Sequence, residues 1–393
     1  MRELAIIGVG MTPFGIFPDK SLVDLGADAI FEALEDAGLD WKDIQIMGCS
    51  VSHWHGLSGL LAGNMIASSI GETGIPIFNC SNVCGTGAIV FNNVCAQVSS
   101  ENFDMGIAVG VDKVPGGFFP AVLSPDIKDY DAVRFHMVGM PNPGYWAMDA
   151  TRRMYDLGTT HEDYARVKVK NSKHGALNPK ARYRKVYTIE EVMNSPMVTY
   201  PFTLFEICAT SDGAGAVIVC SMDKARKYTN KPIKIAATRI VTRMFGDAAM
   251  GGTYFSTQAV PSSESLKEWT TVSKATYEQA GIGPEDLDFV ELAENTPWQE
   301  LAYSEAMGLC KVGEAEKLLR EGETQIGGRI PICPSGGFSS FGEATGAMGI
   351  TQLYEAVVQL RGQAGARQVE GAKVGYCQVQ GNLGNTGCTI LVK

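Results

Sequence analysis

Residues 21–49 read SLVDLGADAIFEALEDAGLDWKDIQIMGC, and residues 265–293 read SLKEWTTVSKATYEQAGIGPEDLDFVELA. Each segment predicts an amphipathic helix, an Ala-Gly pair, an Asp-containing turn and a short strand. Gly38 and Gly281 follow the two helices, where glycine readily adopts the left-handed conformation that ends a helix. We interpret the two segments as copies of one unit, and they predict a duplicated fold.

A second pair of similar segments extends the repeat. The strand predicted at 76–78 leads into VCGTGAIVFNNVCAQVSS, and the strand at 330–332 leads into PSGGFSSFGEATGAMGITQLYEAVVQL. Both are Gly-rich turns that open a helix. Each half then closes with two strands, predicted at 105–110 and 214–220 in the first half and at 375–380 and 389–392 in the second. Strands that alternate with helices indicate an α/β fold with parallel sheets covered by helices.

The segment between the two closing strands of the first half has no counterpart in the second half. We predict that residues 113–205 form an inserted loop domain. The first half then comprises residues 1–112 and 206–228, and the second half residues 229–393. The insert contains two predicted helices, near 145–156 and 161–174.

Composition narrows the class of protein. A chain of 393 residues exceeds the roughly 250–300 residues that one core usually supports. Its formal charge of −10 argues against nucleic acid or an anionic membrane as the main partner. The ten cysteines show neither CxxC nor zinc-ligand spacing, so we predict no metal site and reduced thiols in a cytoplasmic protein. No stretch approaches the ~20 apolar residues of a membrane span.

Cys84 is the candidate nucleophile because it lies where a predicted strand turns into a helix. Free backbone N–H groups and the helix dipole at such a turn favour a thiolate. Gly85 and Gly87 leave room for a substrate to approach closely. The alternative is a buried structural cysteine, which is our interpretation of Cys80, Cys95, Cys208 and Cys220.

Taken together, these features resemble the thiolase superfamily, and most closely its sterol-carrier-protein-type and archaeal branch, including the thiolase subunits of benzoylsuccinyl-CoA thiolases. The resemblance runs nearly end to end through IIGVGMTPFG near the start, SNVCGTGA around Cys84, GTTHEDYARVKVKNSKHGALNPKARYRK in the insert, ATSDGAGAVIV at 209–219, PSGGFSSFGEATGA at 334–347 and GNLGNTG at 381–387. It implies duplicated βαβαβαββ halves in a five-layered α-β-α-β-α arrangement with an inserted loop domain.

The sequence departs from this family at its catalytic histidines. Ala293-Glu294-Asn295-Thr296 matches the family's His-Asp-Cys-Phe motif, Gly342-Glu343-Ala344 matches Gly-His-Pro, and Gly381-Asn382-Leu383-Gly384 matches His-Asn-Leu-Gly. None of the five histidines falls on these motifs, although His55 or His136 remains open as a contribution from a loop.

The chemistry of the family still requires a base, oxyanion donors and a proton carrier. Glu343 can be the base if burial raises its pKa. Asn295 can donate to a thioester oxyanion, and the backbone N–H groups of Cys84 and Gly384 can form a second hole. Glu294 is a second candidate proton carrier. The alternative for both glutamates is a structural carboxylate that caps a helix or pairs with Arg or Lys.

Basic residues cluster between 168 and 185 without an intervening acidic residue. In the resembling family the insert holds coenzyme A, so Arg182, Arg184 and Lys185 are the candidate phosphate contacts, with a solvated surface as the alternative. The stretch VGMPNPGYWAMDATRRM at 138–154 is a candidate lining for a bulky acyl chain, in which an arginine would meet a carboxylate; core packing is the alternative.

The resemblance implies an acyltransferase that cleaves a 3-oxoacyl-CoA through an acyl-Cys84 thioester. Coenzyme A would be the co-substrate, with no permanently bound cofactor. A bulky or aromatic substrate such as 2-benzoylsuccinyl-CoA would give benzoyl-CoA and succinyl-CoA. Two alternatives stay open: a retro-aldolase acting on a 3-hydroxyacyl-CoA, and a non-catalytic subunit that binds acyl-CoA. The resemblance also implies a homodimer and a small zinc-ribbon/OB-fold partner subunit in an α2β2 complex.

Overall fold

The computed structural model describes residues 2–116, 137, 139–242, 267–381 and 385–393. The strands in this part of the chain are β1 (Leu4–Met11), β2 (Ile46–Ser50), β3 (Ile77–Cys80), β4 (Met105–Lys113), β5 (Met197–Thr199), β6 (Phe202–Thr203), β7 (Asp212–Ser221), β8 (Ile233–Thr242), β9 (Phe289–Glu291), β10 (Val374–Gln380) and β11 (Asn385–Val392).

The α-helices follow the order that the sequence predicts in both halves. They are α1 (Leu22–Ala37), α2 (Gly56–Leu60), α3 (Ala62–Ile70), α4 (Thr86–Ser99), α5 (Asn142–Leu157), α6 (His161–Leu177), α7 (Ile189–Met193), α8 (Met222–Tyr228), α9 (Lys267–Ala280), α10 (Pro297–Ala306), α11 (Ala315–Arg320), α12 (Gly337–Ser340) and α13 (Ile350–Leu360). Gly38 and Gly281 have φ values of 65° and 72°, which confirms the predicted left-handed helix ends.

The strand order shows the duplication directly. Nine strands are connected in the order β3-β2-β4-β7-β1-β8-β11-β10-β9. Strands β1 and β8 pair at the centre. Outward from this pair, β7, β4 and β2 of the first half correspond to β11, β10 and β9 of the second. The segment at 330–332 occupies the position equivalent to β3, but only a single bridge between Ile332 and Val290 marks it.

The prediction of parallel sheets is only partly correct. Strands β2, β3 and β4 are parallel, as are β9 and β10, whereas β7, β1, β8 and β11 run antiparallel to their neighbours. Strand β10 ends at Gln380 and β11 begins at Asn385. So short a connection permits antiparallel pairing only, because a parallel pair needs a long crossover.

Three hydrophobic cores separate five layers. The central core contains Phe91 and Val94 of α4 together with Leu353 and Val357 of α13, packed against sheet residues of both halves. A second core joins α1 and α3 to the opposite face of the first half, and a third joins α9 and α10 to the second half. Each fully buried large side chain contributes roughly 1.5–3 kcal/mol. This is the predicted α-β-α-β-α arrangement.

Helices α5 and α6 of the insert are anchored to the second half by buried groups. Ala150 and Tyr164 join the hydrophobic core of that half. The Arg153 guanidinium, 2% exposed, lies 2.6 Å from Glu305 and 2.8 Å from Glu316. The exact limits of the insert at 113–205 stay a prediction. No described helix is both long enough and apolar enough to cross a membrane.

Candidate active site

The connection between β3 and α4 presents Cys84 in a strained turn. Val83, directly before it, has a φ of 51°. This left-handed conformation is unfavourable for a β-branched residue and is typical of sites where the surrounding structure imposes it. The Thr86 hydroxyl holds the turn from the inside, because it accepts a hydrogen bond from Asn82 N at 2.6 Å and donates one to Val83 O at 2.6 Å.

Gly85 and Gly87 are required by the protein's own backbone. A Cβ on Gly85 would lie 2.6 Å from Asn385 O and 2.7 Å from Gly381 N, and one on Gly87 would lie 2.0 Å from Met348 O. These glycines therefore have a role within the chain itself, and their role toward a substrate stays a prediction. They allow two turns of the second half to close on the start of α4, which brings both halves to Cys84.

Cys84, Glu343 and Asn295 form one hydrogen-bonded group. The Cys84 thiol donates to Glu343 Oε1 at 3.2 Å, and Asn295 Nδ2 donates to the same oxygen at 3.0 Å. Glu343 is 2% exposed, whereas Cys84 and Asn295 are partly exposed. The structure thus brings together three of the residues that the sequence selected, and it places Glu343, at a family histidine position, in contact with Asn295, at the position of the family's cysteine.

Burial controls the protonation of this group. Burial raises the pKa of Glu343, while hydrogen bonds from Cys208, Cys84 and Asn295 act in the opposite direction. The pKa of Cys84 is raised well above its usual value, first by burial and then by the charge of Glu343. The backbone N–H at the helix start does lower the pKa of Cys84, as expected, but burial and the charge of Glu343 outweigh it in the resting site. Cys84 rests as a thiol beside a base whose affinity for protons is increased.

Cys208 is a site residue that our sequence interpretation missed. Its backbone N–H donates to Asn295 O at 2.9 Å, and the next residue, Ala209, accepts from Glu343 N at 2.7 Å. Burial raises the pKa of its thiol well above the usual value, and Glu343, Asn295 and Cys84 lie near enough to act on that pKa as well. The only available signal was its position directly before the ATSDGAGAVIV motif.

Aromatic residues of the insert and of α10 adjoin the group. Tyr145, 4% exposed, lies near enough to Cys84 and Glu343 for their charges to add to the effect of burial in raising its pKa. Asp149, one helical turn further, is 4% exposed, and no described residue hydrogen-bonds to its carboxyl; burial raises its pKa well above the usual value. The Tyr303 hydroxyl donates to Gln380 at 3.0 Å.

The arginines predicted to meet a substrate carboxylate are already paired. Arg153 is enclosed by Glu305 and Glu316, and Arg152 Nε donates to Asp156 at 2.7 Å. That prediction is wrong for Arg153, because carboxylates of the protein itself enclose its buried guanidinium, and for Arg152 it stays a prediction.

Glu294 does not join the Cys84 group. Its Oε1 accepts from Asn171 Nδ2 at 3.2 Å and from Ser339 N at 3.4 Å, and Cys333 Sγ lies 3.7 Å from its Oε2. Burial and the charge of Glu300 raise its pKa well above the usual value. The carboxyl holds the α12 turn in place, as the structural alternative has it.

Two candidates, Gly384 and His136, lie outside the described residues. The flanks of Gly384 adjoin the nucleophile turn, since Asn385 N donates to Asn82 Oδ1 at 2.9 Å. His55 Nε2 lies 2.5 Å from Asp112 Oδ1, and the charge of Asp112 acts on both Cys84 and Glu343. His55 therefore contacts Asp112, and Asp112 is the residue whose charge acts on Cys84 and Glu343.

The basic segment divides into buried and exposed members. Lys168 and Lys170 are 2% and 3% exposed, so the prediction of one continuous positive surface is wrong for them. Arg182 and Tyr183 pair through their backbone N–H groups with Phe341 O and Ser340 O, each at 3.0 Å, beside the Glu343 turn. The side chains of Arg184 and Lys185 are exposed, and Lys185 also bonds Glu191 at 2.8 Å.

Comparisons with known proteins identify the family of the chain. The family model described as "Thiolase, N-terminal domain" matches residues 4–186, and "Thiolase C-terminal domain-like" matches residues 252–393. An acetyl-CoA acetyltransferase of Methanothermobacter thermautotrophicus is 34% identical, covering 100% of this chain and 99% of its own length. The benzoylsuccinyl-CoA thiolase subunit BbsB of Thauera aromatica is 34% identical over 94% of this chain and 92% of its own.

A solved structure, described as an Ltp2-ChsH2(DUF35) aldolase, has the same fold. It superposes with a TM-score of 0.85 and 24% sequence identity, covering 99% of this chain and 97% of that chain. The five-layered fold expected from the sequence is confirmed.

Proposed function

The chain belongs to the thiolase family, a family of acyltransferases, and we propose that it cleaves a 3-oxoacyl-CoA through an acyl thioester on Cys84. The observation that carries this proposal is the hydrogen bond of 3.2 Å between the Cys84 thiol and the buried Glu343 carboxylate. A thiol in contact with a base of raised pKa is the arrangement that nucleophilic catalysis requires.

Glu343 first accepts the Cys84 proton, and the sulfur attacks the 3-oxo carbon. Backbone N–H groups of Cys84 and Gly384 are the proposed donors to the resulting oxyanion. The bond between C2 and C3 then breaks, and its electron pair moves into the thioester enolate. Asn295 Nδ2, already directed into the group, is the proposed donor to the enolate oxygen. The proton that Glu343 took is passed on to C2, which releases the cleaved acyl-CoA. Glu343 then takes the thiol proton of free coenzyme A, whose sulfur replaces Cys84 at the acyl carbon, and returns that proton to Cys84.

Coenzyme A enters as a co-substrate, and no permanently bound cofactor is needed. The proposed phosphate contacts are Arg182, Arg184 and Lys185. Their support is position, because the backbone of this segment pairs with the turn that precedes Glu343. A polyanion on an otherwise acidic chain needs such a local group of cations.

The proposed substrate has a bulky or aromatic acyl part, such as 2-benzoylsuccinyl-CoA, which would give benzoyl-CoA and succinyl-CoA. Tyr145 and Tyr303 near the nucleophile support an aromatic ligand. The similarity to BbsB points in the same direction. We extend the proposal to a homodimer joined by a small zinc-ribbon/OB-fold subunit, since BbsB is named as a subunit and the aldolase structure includes a DUF35 protein.

A retro-aldolase acting on a 3-hydroxyacyl-CoA is the second candidate. It is favoured by the loss of the family's catalytic groups, because Glu343 stands at a histidine position and Asn295 at the position of the family's cysteine. The two reactions differ at Cys84, which would carry no acyl group in an aldolase.

Mass spectrometry of the acylated protein tests the proposal. The protein is incubated with a panel of 3-oxoacyl-CoA esters without free coenzyme A, and the intact chain and its peptides are weighed. We expect an acyl adduct on Cys84 that is absent from Cys84→Ala and retained in Cys95→Ala, a buried thiol in the central core. Binding of the esters without any adduct would refute thiolase chemistry.

A further inference from the structure

We propose that Cys208 is a second catalytic thiol, which delivers a proton to C2 of the departing enolate, and that Glu343 passes protons between Cys208 and Cys84. This inference rests on the proposed function, because it concerns the step that breaks the carbon–carbon bond. It assigns a reaction step to a cysteine that lies outside the motifs matched to the family's catalytic residues.

The backbone fixes Cys208 between the two loops that supply the rest of the group. Cys208 N donates to Asn295 O at 2.9 Å on one side. On the other side, Glu343 N donates to Ala209 O at 2.7 Å, and Ser211 N donates to Glu343 O at 2.8 Å. The short stretch from 208 to 211 therefore pairs with both loops, and its backbone holds Cys208 between Asn295 and Glu343.

The side chain of Cys208 shares its carboxyl partner with the nucleophile. Cys84 hydrogen-bonds to Glu343 at 3.2 Å and Asn295 to the same oxygen at 3.0 Å, and the Cys208 side chain lies near enough to Glu343 and Asn295 for both to act on its pKa. Cys208 and Cys84 are also both partly exposed, whereas Cys95, Cys220, Cys333 and Cys377 are buried. A partly exposed thiol beside the nucleophile can meet the reacting carbon.

The other described candidates do not provide this proton. The Glu294 carboxyl is turned toward Asn171 and Ser339. Asn295 is an amide without an acidic proton. Burial raises the pKa of Tyr145 and of Cys208 alike, so the placement of Cys208 between the Asn295 and Glu343 loops is what favours it. Glu343 contacts the nucleophile, so it can take the proton of Cys84, which attacks C3, and pass it to Cys208, which protonates C2.

The proposed steps balance in protons and electrons. Glu343 takes the proton of Cys84, and the sulfur adds to C3 to give an oxyanion. Collapse of the oxyanion breaks the C2–C3 bond, and the electron pair on C2 takes the proton of Cys208. Glu343 returns its proton to the Cys208 thiolate. When coenzyme A arrives, Glu343 takes its thiol proton, the coenzyme A sulfur replaces Cys84 at the acyl carbon, and Glu343 reprotonates Cys84.

Two reactions of the full-length protein separate this role from that of Cys84. The first is acyl exchange between an acyl-CoA and isotopically labelled coenzyme A, which passes through Cys84 without breaking a carbon–carbon bond. The second is cleavage of the 3-oxoacyl-CoA ester that labels Cys84 in the wild type. We expect Cys208→Ala to keep acyl exchange and to lose cleavage by about 100- to 10,000-fold, the usual contribution of a general acid.

Cys208→Ser serves as the near-isosteric variant, because it keeps the volume and hydrogen bonding but lacks an acidic proton; it should behave like Cys208→Ala. Cys95→Ala is the control for the loss of a buried thiol and should keep both reactions. Wild-type cleavage by both Cys208 variants would overturn the inference. So would an equal loss of exchange and cleavage, which would mean that Cys208 only positions Glu343. A wild type that never acylates Cys84 would instead refute the proposed function.

Discussion

Replacing Glu343 by glutamine should lower turnover and at the same time raise the reactivity of the Cys84 thiol toward alkylation. The variant keeps the shape of the side chain and an acceptor for Asn295 Nδ2, but it removes the negative charge and the base. Turnover should fall by about 100- to 10,000-fold, because a general base is lost. The thiol itself should become more reactive toward a small alkylating agent, because the charge that opposes thiolate formation is gone.

The size of the second effect follows from the distance. At 3.2 Å and an effective dielectric constant of about 20, two unit charges interact by about 5 kcal/mol. Removing this repulsion increases the thiolate population by on the order of a thousandfold. Roughly half of that gain, on a logarithmic scale, is lost because a more acidic thiol is a weaker nucleophile. Since Cys84 is partly exposed and salt screens the pair further, we expect alkylation at least about tenfold faster.

The assay is alkylation by iodoacetamide at fixed pH, followed by peptide mass spectrometry at Cys84. Glu294→Gln is the matched control, because this buried carboxyl faces away from Cys84, and its alkylation rate should stay near that of the wild type. Slower or unchanged alkylation in Glu343→Gln would refute the argument that a charged Glu343 restrains the thiol.

Three further predictions concern the surroundings of the group. Asn295→Ala should lower kcat for cleavage by about 10- to 1,000-fold, as the loss of an oxyanion donor does, with little change in melting temperature, and steady-state kinetics measure this. Arg184→Ala should raise KM for coenzyme A and leave kcat nearly unchanged, whereas Lys224→Ala, a cation on the outer helix α8, should change neither; equal KM values would exclude Arg184 as a phosphate contact. Arg153→Met should lower the free energy of unfolding by about 3–5 kcal/mol, because it leaves Glu305 and Glu316 buried without their cationic partner, and chemical denaturation measures this loss.

The parts of the fold that depend on local patterning could be predicted from the sequence. Periodicity and the glycines at 38 and 281 identify the repeat, and the repeat implies the layered arrangement. Strand direction was less accessible, because it depends on connection length and on where the chain re-enters the sheet. The burial of Lys170 in the insert could not be predicted either. A lysine in a basic segment reads as a surface cation, and its ion pair with Glu300 at 3.0 Å depends on packing against the second half.

Site residues that lie in a sequence motif could be predicted. Site residues that depend on contacts between distant parts of the chain could not. Cys84, Glu343 and Asn295 come from three separate motifs, and the structure unites them. Glu294 and Asn295 are neighbours in sequence, and only the packing of the loop decides which of them faces Cys84. Cys208 carries no local pattern at all, because its position follows from backbone pairing with the Asn295 and Glu343 loops.

The mirrored strand order has a meaning for how such a site arises. Cys84 stands in the Gly-rich turn before α4, and Glu343 stands in the equivalent turn before α13, so the nucleophile and its base occupy matching places in the two copies. Helices α4 and α13 contact each other in the central core. A primitive half-length chain that associated with itself about a two-fold axis would bring two identical turns face to face. Once the two copies are joined in one chain, each turn can change independently of the other. In this chain one turn carries the nucleophile and the equivalent turn carries its base.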